Sequence, residues 1–257
     1  MRTVAVHRDA VVITSLMWQT NAVALRAGDE AMLVDSPYYP EELDALAGVL
    51  AAAGFEPDAL IATHADFDHV LGRAAFPGLA LGMAESSVER LRREPGAAQR
   101  ELREKDAELY VERPRPLALG ELQSLPAPGS VELGDVELEL QPAEGHTPDG
   151  MSIFARHCGV LCLGDYLSRV EIPWISEGGS LPDYQATLER LGPLVEAAET
   201  VVPGHGAAHD RDTALRLLEE DSQYLDALAR GQEKIRLPKG RDTKEQQRIH
   251  AENFSRV

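Results

Sequence analysis

The chain has 257 residues, of which 44% are hydrophobic, and its formal net charge is −18. This length and composition are typical of a globular protein with a substantial core, and the acidic balance argues against nucleic acid or anionic membranes as partners. The only two cysteines, Cys158 and Cys162, exclude a disulfide framework. Because they flank an apolar run, we expect two small core residues rather than a redox or metal-binding pair.

The amino-terminal segment carries polar residues where a signal peptide would need an apolar stretch. His7, Arg8 and Asp9 interrupt the only short apolar runs in this part of the chain. Elsewhere no apolar run approaches the length of a membrane-spanning helix. We therefore expect a cytoplasmic protein that acts on a small-molecule substrate, while the sequence leaves its oligomeric state open.

The first quarter of the chain predicts strands followed by a helix and another strand. Short apolar runs separated by turn residues predict strands at Val4–Val6, Val11–Thr14, Asn21–Arg26 and Ala31–Val34. Leucines then recur at helical spacing within Glu41–Ala53, and Ala59–Thr63 is a short apolar run with the features of a buried strand. This order of elements predicts a sheet covered by helices.

The middle of the chain predicts a charged helical stretch and then a hairpin. Residues 84–109 have sparse apolar positions, which favours a solvated helical face over a segment that overhangs a site. Val131–Leu138 alternates apolar and polar residues on both sides of Gly134-Asp135, a strong hairpin signal. Further strands are predicted at Met151–Ala155, Val160–Leu163 and Thr200–Val202.

The carboxyl-terminal part of the chain predicts helices. Leucines spaced over residues 188–195 indicate a helix that is kinked at, or begins near, Pro193. We predict one α/β domain over residues 1–210 and a helical extension over residues 211–257 that packs on the same domain. The last 25 or so residues are polar and are expected to lie at the periphery.

Potential metal ligands concentrate where predicted strands end. Four of them fall within one six-residue segment, at His64, Asp66, Asp68 and His69. Three more follow apolar runs in turns that contain glycine, at His146, Asp165 and His205. Imidazoles with carboxylates suit zinc, iron or manganese, whereas calcium and magnesium prefer oxygen ligands alone. In an extended segment His69 projects opposite to its neighbours, so one segment can reach two adjacent ions.

The pattern His-x-Asp-x-Asp-His followed by separate His, Asp and His motifs resembles the hallmark of the metallo-β-lactamase superfamily. The resemblance covers about residues 10–206 and includes Asn21 and Asp35 at positions typical of the family. It implies an α/β fold, an αββα sandwich of two mixed sheets flanked by helices. It also implies a binuclear metal site at one edge of that sandwich.

The same resemblance implies a division of the ligands between two divalent ions, with zinc expected and iron or manganese as alternatives. The first ion would be bound by His64, Asp66 and His146. The second would be bound by Asp68, His69 and His205, with Asp165 bridging the two. A bridging hydroxide would attack an electrophilic carbonyl or phosphoryl group, and Asp68 would act as a catalytic residue by orienting it.

Asp66 departs from the family pattern, which usually has histidine at this position. The substitution gives the ligand set three carboxylates instead of two, so the metal centre carries less positive charge. Such a centre has a smaller effect on the pKa of bound water and stabilises higher oxidation states of the metal better. In this respect the chain resembles the flavodiiron branch of the superfamily, which has glutamate there, and the related domain of DNA-uptake channel proteins. Asp66 is a competent ligand, but it weakens the expectation of two zinc ions.

Three functions remain open from the sequence. The leading hypothesis is a metal-dependent hydrolase acting on a small ester, thioester, lactone or phosphoester. The alternatives are a nonheme di-iron oxidoreductase or oxygen sensor and a non-catalytic, metal-stabilised binding module. Residues expected to line the substrate site are Tyr38, Trp174 and Tyr184, and Val170–Ile175 is either a flap over the site or an ordinary packed segment.

Overall fold

Two β-sheets pack face to face, and helices cover the outer face of each. The computed structural model describes all 257 residues and confirms the αββα sandwich of two mixed sheets. The layers follow from side-chain periodicity, since both faces of a central strand must be buried in such a sandwich. In the third strand, for example, Val23 and Leu25 face the opposite sheet while Ala22 and Ala24 face the helices.

The first sheet has seven strands in chain order. The first four pair antiparallel and the remaining pairs are parallel. Its strands are β1 (Arg2–His7), β2 (Ala10–Thr14), β3 (Asn21–Ala27), β4 (Glu30–Asp35), β5 (Ala59–Ile61), β6 (Leu81–Ala84) and β7 (Leu122–Leu125).

The second sheet has six strands and is antiparallel except for one parallel pair, β11 with β12. Its strands, in chain order, are β8 (Gly129–Leu133), β9 (Val136–Pro142), β10 (Met151–Ala155), β11 (Val160–Cys162), β12 (Thr200–Val202) and β13 (His209–Asp210). The predicted hairpin is β8–β9, in which Gly134 adopts a φ of 57° that suits glycine.

Helices of the amino-terminal half cover the first sheet, and those of the carboxyl-terminal half cover the second. They are α1 (Pro40–Ala52), α2 (Gly72–Ala75), α3 (Glu85–Arg93), α4 (Ala97–Leu109), α5 (Leu181–Ala197), α6 (Arg211–Ala229) and α7 (Lys244–Arg256). Pro95-Gly96 divides the predicted stretch 84–109 into two helices, and α5 begins well before Pro193, which lies inside it. None of these helices combines the length and the apolar character needed to cross a membrane.

The layer between the sheets contains both cysteines. Cys158 and Cys162 are buried, free and surrounded by the apolar side chains of both sheets, as expected. Burial raises the pKa of the Cys158 thiol to about 11 and that of Cys162 well above its usual value. Neither thiol therefore forms a reactive thiolate near neutral pH.

The last helix, α7, is not peripheral, contrary to the expectation from its polar composition. Its Asn253 is fully buried, accepts a hydrogen bond from the backbone N–H of Ile175 (2.8 Å) and donates to the carbonyl of Pro173 (2.6 Å). Gln246 accepts a hydrogen bond from the backbone N–H of Ile172 (2.7 Å). The polar side chains of α7 thus satisfy the backbone of the loop between β11 and α5, a role that amphipathic patterning does not reveal.

Asn21 links the two sheets at the end where the predicted ligands lie. Its carboxamide donates to the carbonyls of Pro203 (2.8 Å) and Gly206 (2.7 Å), in the loop that follows β12. Its backbone N–H donates to the carbonyl of Gly204 at 2.7 Å. One residue of the first sheet therefore fixes the loop of the second sheet that contains His205.

Replacement of Asn21 by alanine should lower the free energy of unfolding by about 2 kcal/mol, because two buried carbonyls lose their donors. Chemical denaturation monitored by circular dichroism measures the change. Gln123→Ala, at an exposed position of β7, is the control and should stay within about 0.5 kcal/mol of the wild type. An Asn21→Ala variant as stable as this control would show that the link contributes nothing.

Candidate metal centre

All seven predicted ligands meet at one end of the sandwich. The segment His64–His69 follows β5, Asp165 follows β11 and His205 follows β12, while His146 lies in the loop between β9 and β10. These loops converge because parallel neighbouring strands end at the same edge of a sheet and the two sheets face each other there. The resulting cluster divides into two groups of ligand atoms.

The first group contains two imidazoles and two carboxylate oxygens. Asp66 Oδ2 lies 3.7 Å from Nε2 of His64 and 3.7 Å from Nε2 of His146. Asp165 Oδ2 lies 3.9 Å and 3.2 Å from the same two nitrogens. Four ligand atoms therefore face one another at separations suited to a common ion.

The second group has the same composition. Asp68 Oδ2 lies 3.8 Å from Nε2 of His69 and 3.5 Å from Nε2 of His205. Asp165 Oδ1 lies 3.2 Å and 3.4 Å from these nitrogens. Each oxygen of Asp165 thus faces one group, which is the geometry of a ligand shared by two ions.

Hydrogen bonds at the opposite side of each imidazole fix its tautomer. Nδ1 of His146 is 2.7 Å from the carbonyl oxygen of Trp174, and Nδ1 of His205 is 3.2 Å from that of Trp18. A carbonyl only accepts, so each Nδ1 carries the proton and each Nε2 keeps its lone pair for a metal.

The other two imidazoles are fixed through Asp35, whose φ of 55° is unusual for a residue other than glycine. Asp35 Oδ2 lies 2.9 Å from Nδ1 of His69 and accepts the hydroxyl proton of Thr63 at 2.8 Å. With its proton committed to Asp35, the Thr63 hydroxyl accepts from Nδ1 of His64 at 3.1 Å. All four histidines therefore present an unprotonated Nε2 to the cluster when they are neutral.

Several of these ligand atoms are buried without a hydrogen-bond partner. They are the Nε2 atoms of His64, His69 and His146 and the Oδ1 atom of Asp165. Buried polar atoms left unpaired cost roughly 1–3 kcal/mol each, and native proteins rarely keep several together. A pair of divalent cations would satisfy all of them, so the donor set fits the expected metal ions.

The carboxylates of Asp165 and Asp66 remain ionised despite their burial. Burial by itself would raise the pKa of Asp165, but in the metal-free protein the positive charges of protonated His205 and His69 and hydrogen bonds with His146 and His205 hold it well below its usual value. Burial likewise opposes the low pKa of Asp66, which results from His146, His64 and the nearby Arg90 guanidinium. Ionised carboxylates are the form that binds cations.

Two charged residues outside the predicted set contact the segment His64–His69. Arg90 of α3 donates to both Asp66 Oδ1 (2.8 Å) and Asp149 Oδ1 (2.7 Å). The other oxygen of Asp149 accepts from the backbone N–H of Ala65 at 3.0 Å. Sequence reasoning missed Arg90 because a basic residue in a charged helix carries no local signal of a buried partner.

A third missed residue is Glu171, in the loop between β11 and α5. One of its oxygens lies within 4.8 Å of ligand atoms of Asp165 and His205. Burial raises its pKa, and the carboxylates of Asp165 and Asp68 act in the same direction while His205 opposes them. Glu171 therefore adds a further carboxylate beside the second group of ligands.

A cleft of about 130 Å³ opens onto the cluster. Its walls include the side chains of Trp18, Phe67, Trp174 and Ile249, together with charged residues of α4 and α7. Trp174 thus lies in the cleft, and its ring nitrogen is 3.2 Å from a carboxylate oxygen of Glu252.

The two tyrosines that were expected in the cleft lie elsewhere. Tyr38 is fully buried beneath the first sheet, and its hydroxyl donates to Asp106 of α4 (2.8 Å). Tyr184 is buried beneath the second sheet, where its hydroxyl donates to the backbone carbonyl of Asp165 (3.1 Å). The segment Val170–Ile175 is held by hydrogen bonds to α7, so it is a packed wall of the cleft rather than a hinged flap.

The backbone of Gly204 lies against the cluster and leaves no room for a side chain. A Cβ atom there would lie 2.2 Å from Asp165 Oδ1 and 2.8 Å from Cε1 of His69.

We expect Gly204→Ala to reduce the amount of zinc bound per chain although it removes no ligand, because the methyl group displaces Asp165. Elemental analysis after equilibration with zinc tests this, and Gly48→Ala, which meets open space in α1, should bind as much zinc as the wild type. Full zinc content in Gly204→Ala would refute the assignment of Asp165 between the two ions.

Comparison with solved structures identifies similar folds at low sequence identity. A metallo-beta-lactamase family protein from Thermus thermophilus, TTHA1429, matches with a TM-score of 0.67 and 21% identity over 88% of this chain and 83% of that one. TTHA1623, solved in a di-iron-bound form, matches with a TM-score of 0.62 and 21% identity over 80% of this chain and 97% of that one.

A third similar structure is the stereoselective inverting sec-alkylsulfatase Pisa1 from Pseudomonas sp. It has a TM-score of 0.75 and 15% identity, and the match covers 99% of this chain but 50% of that one.

No curated protein matches the sequence. The family model described as the metallo-beta-lactamase superfamily matches residues 17–205, most of the chain and the whole of the ligand cluster. The protein therefore belongs to the metallo-β-lactamase superfamily.

Proposed function

We propose that the protein is a binuclear metal-dependent hydrolase that cleaves a small ester, thioester, lactone or phosphoester. The observation that carries the proposal is the set of buried, unpartnered Nε2 atoms arranged in two groups around Asp165. Zinc is the metal we propose, because imidazoles combined with carboxylates suit it, and iron or manganese are the alternatives for the same ligand types. Membership in a superfamily that includes lactamases supports hydrolysis as the reaction type.

Two bound divalent ions would supply a hydroxide near neutral pH and polarise a substrate oxygen. The side chains of the protein position the reacting groups and accept the proton. Asp68 lines the cleft with Oδ2 3.5 Å from Nε2 of His205, and we propose that it orients the attacking water and accepts its proton. Asp35, Thr63 and the loop carbonyls keep the imidazoles oriented throughout.

The cleft supports a small substrate with an apolar group. Its volume of about 130 Å³ and the rings of Trp18, Phe67 and Trp174 suit an acyl or alkyl chain beside the reacting bond. The cationic side chains that line the cleft, Lys105 and Arg248, are already paired with glutamates of their own helices. These pairs favour a substrate with little charge outside the reacting group.

Hydrolysis of ester, lactone, thioester and phosphodiester substrates should be detectable with zinc-loaded protein, should disappear after chelation and should return when zinc is restored. Asp68→Asn should lower kcat by about 100-fold or more, because both the proposed proton acceptor and a carboxylate ligand of the second ion are lost. Asp44→Asn, on the exposed face of α1, is the matched control and should retain full activity. Zinc-replete protein without turnover on the whole panel would contradict the proposal.

A second candidate is a nonheme di-iron oxidoreductase or oxygen sensor. It is supported by the carboxylate of Asp66 at a position that is usually histidine and by a similar fold solved in a di-iron-bound form. This candidate requires an external electron donor. Purification of the protein with zinc alone, together with no turnover of oxygen or nitric oxide by the iron-loaded form, would exclude it.

A further inference from the structure

The two oxygens of Asp66 point in opposite directions. Oδ2 faces the first ligand group, 3.7 Å from the Nε2 atoms of both His64 and His146. Oδ1 faces away and accepts a hydrogen bond from Nη1 of Arg90 at 2.8 Å. A charged donor therefore occupies the oxygen that does not face the metal position.

Arg90 is itself held firmly in this orientation. The same Nη1 atom donates to Oδ1 of Asp149 at 2.7 Å, and the side chain of Asp149 is fully buried. Only 16% of the Arg90 side chain is exposed. Because Asp149 also accepts from the backbone N–H of Ala65, these contacts connect α3, the loop before β10 and the segment His64–His69.

A carboxylate and an imidazole differ in the number of atoms that they can offer to one ion. Neutral histidine presents a single nitrogen, whereas an unrestrained aspartate can bind through both oxygens. Ligation through both would fill a coordination position that a catalytic site must leave open to water or substrate. A charged donor on one oxygen competes with the ion for that oxygen, and charge-assisted hydrogen bonds are among the most stable.

We propose that Arg90 is a positioning residue that restricts Asp66 to ligation of the first metal through Oδ2 alone, an inference that rests on the proposed metal centre. Asp66 then occupies the place of a histidine and, like it, supplies one donor atom. Arg90 also binds Asp149, so its single positive charge is divided between two carboxylates. Its role is therefore to fix the orientation of the Asp66 carboxylate, and this does not require that Arg90 neutralise the Asp66 charge completely. The chain thereby keeps an open coordination position despite its departure from the family pattern.

Cobalt(II) substitution tests the coordination directly, because the intensity of its visible absorption falls as the coordination number rises. Arg90→Met should release Asp66 Oδ1 to the ion and weaken the absorption of the first metal position. The second position, with Asp68, His69 and His205, should keep its spectrum and serves as an internal reference. Arg90→Lys, which retains a charged donor, should preserve the wild-type spectrum, as should Arg92→Met at an exposed position of the same helix.

A second comparison separates this role from simple support of the fold. In an Asp66→His background the ligand at position 66 offers one donor atom whether or not Arg90 is present. Adding Arg90→Met to this background should therefore leave the cobalt spectrum unchanged. If Arg90 acted only by docking α3, its removal would alter the spectrum equally in both backgrounds.

The proposal is wrong if Arg90→Met has the spectrum of the wild type, or if the change persists in the Asp66→His background. Circular dichroism of each variant shows whether it is folded, and Arg90→Lys provides the comparison if Arg90→Met is not. A wild-type protein that binds no cobalt would instead overturn the proposed metal centre, and this inference with it. That outcome is distinct from a change confined to the Arg90 variants.

Discussion

The site and the loops around it depend on one constraint, which is that unpaired imidazole nitrogens are buried around the carboxylate of Asp165. Asp165 reaches both ligand groups because the parallel pair β11–β12 places its loop directly beside that of His205. Gly204 permits this approach, since any side chain there would occupy the space of Asp165. Without cations these lone pairs would face one another inside the protein, so metal binding and the stability of this end of the sandwich are coupled.

Features formed by residues close together in the sequence could be predicted from periodicity and motif spacing, and the hairpin around Gly134 and the ligand segment from His64 are examples. The sandwich and the meeting of all seven ligands were implied by the family resemblance instead, because the ligands come from segments far apart in the sequence. The contacts of Arg90 with Asp66 and Asp149 could not be predicted, since they join three segments that are distant in sequence. The burial of Tyr38 could not be predicted for the same reason, because its hydroxyl partner belongs to α4.

Asp66 takes on a different meaning once its surroundings are known. From the sequence alone it is a departure that adds negative charge and makes the identity of the metal less certain. In the structure its outer oxygen accepts from Arg90, and the helix that supplies this partner is not only a solvated face, because its Ser87 and Val88 are buried. The chain has therefore built a local environment around the carboxylate, which is what a functional ligand requires and what a degenerate position would lack.

The helix α7 supports the loop whose Trp174 carbonyl binds His146, and its Gln246 and Ile249 also line the cleft. The family match ends at residue 205, so this support lies outside the region that defines the superfamily. Ligands and cleft can therefore diverge at different rates during evolution. New substrate preferences can arise in relatives that share every metal ligand but differ in their last helix. A function assigned to such relatives from the ligand motif alone will not distinguish one substrate preference from another.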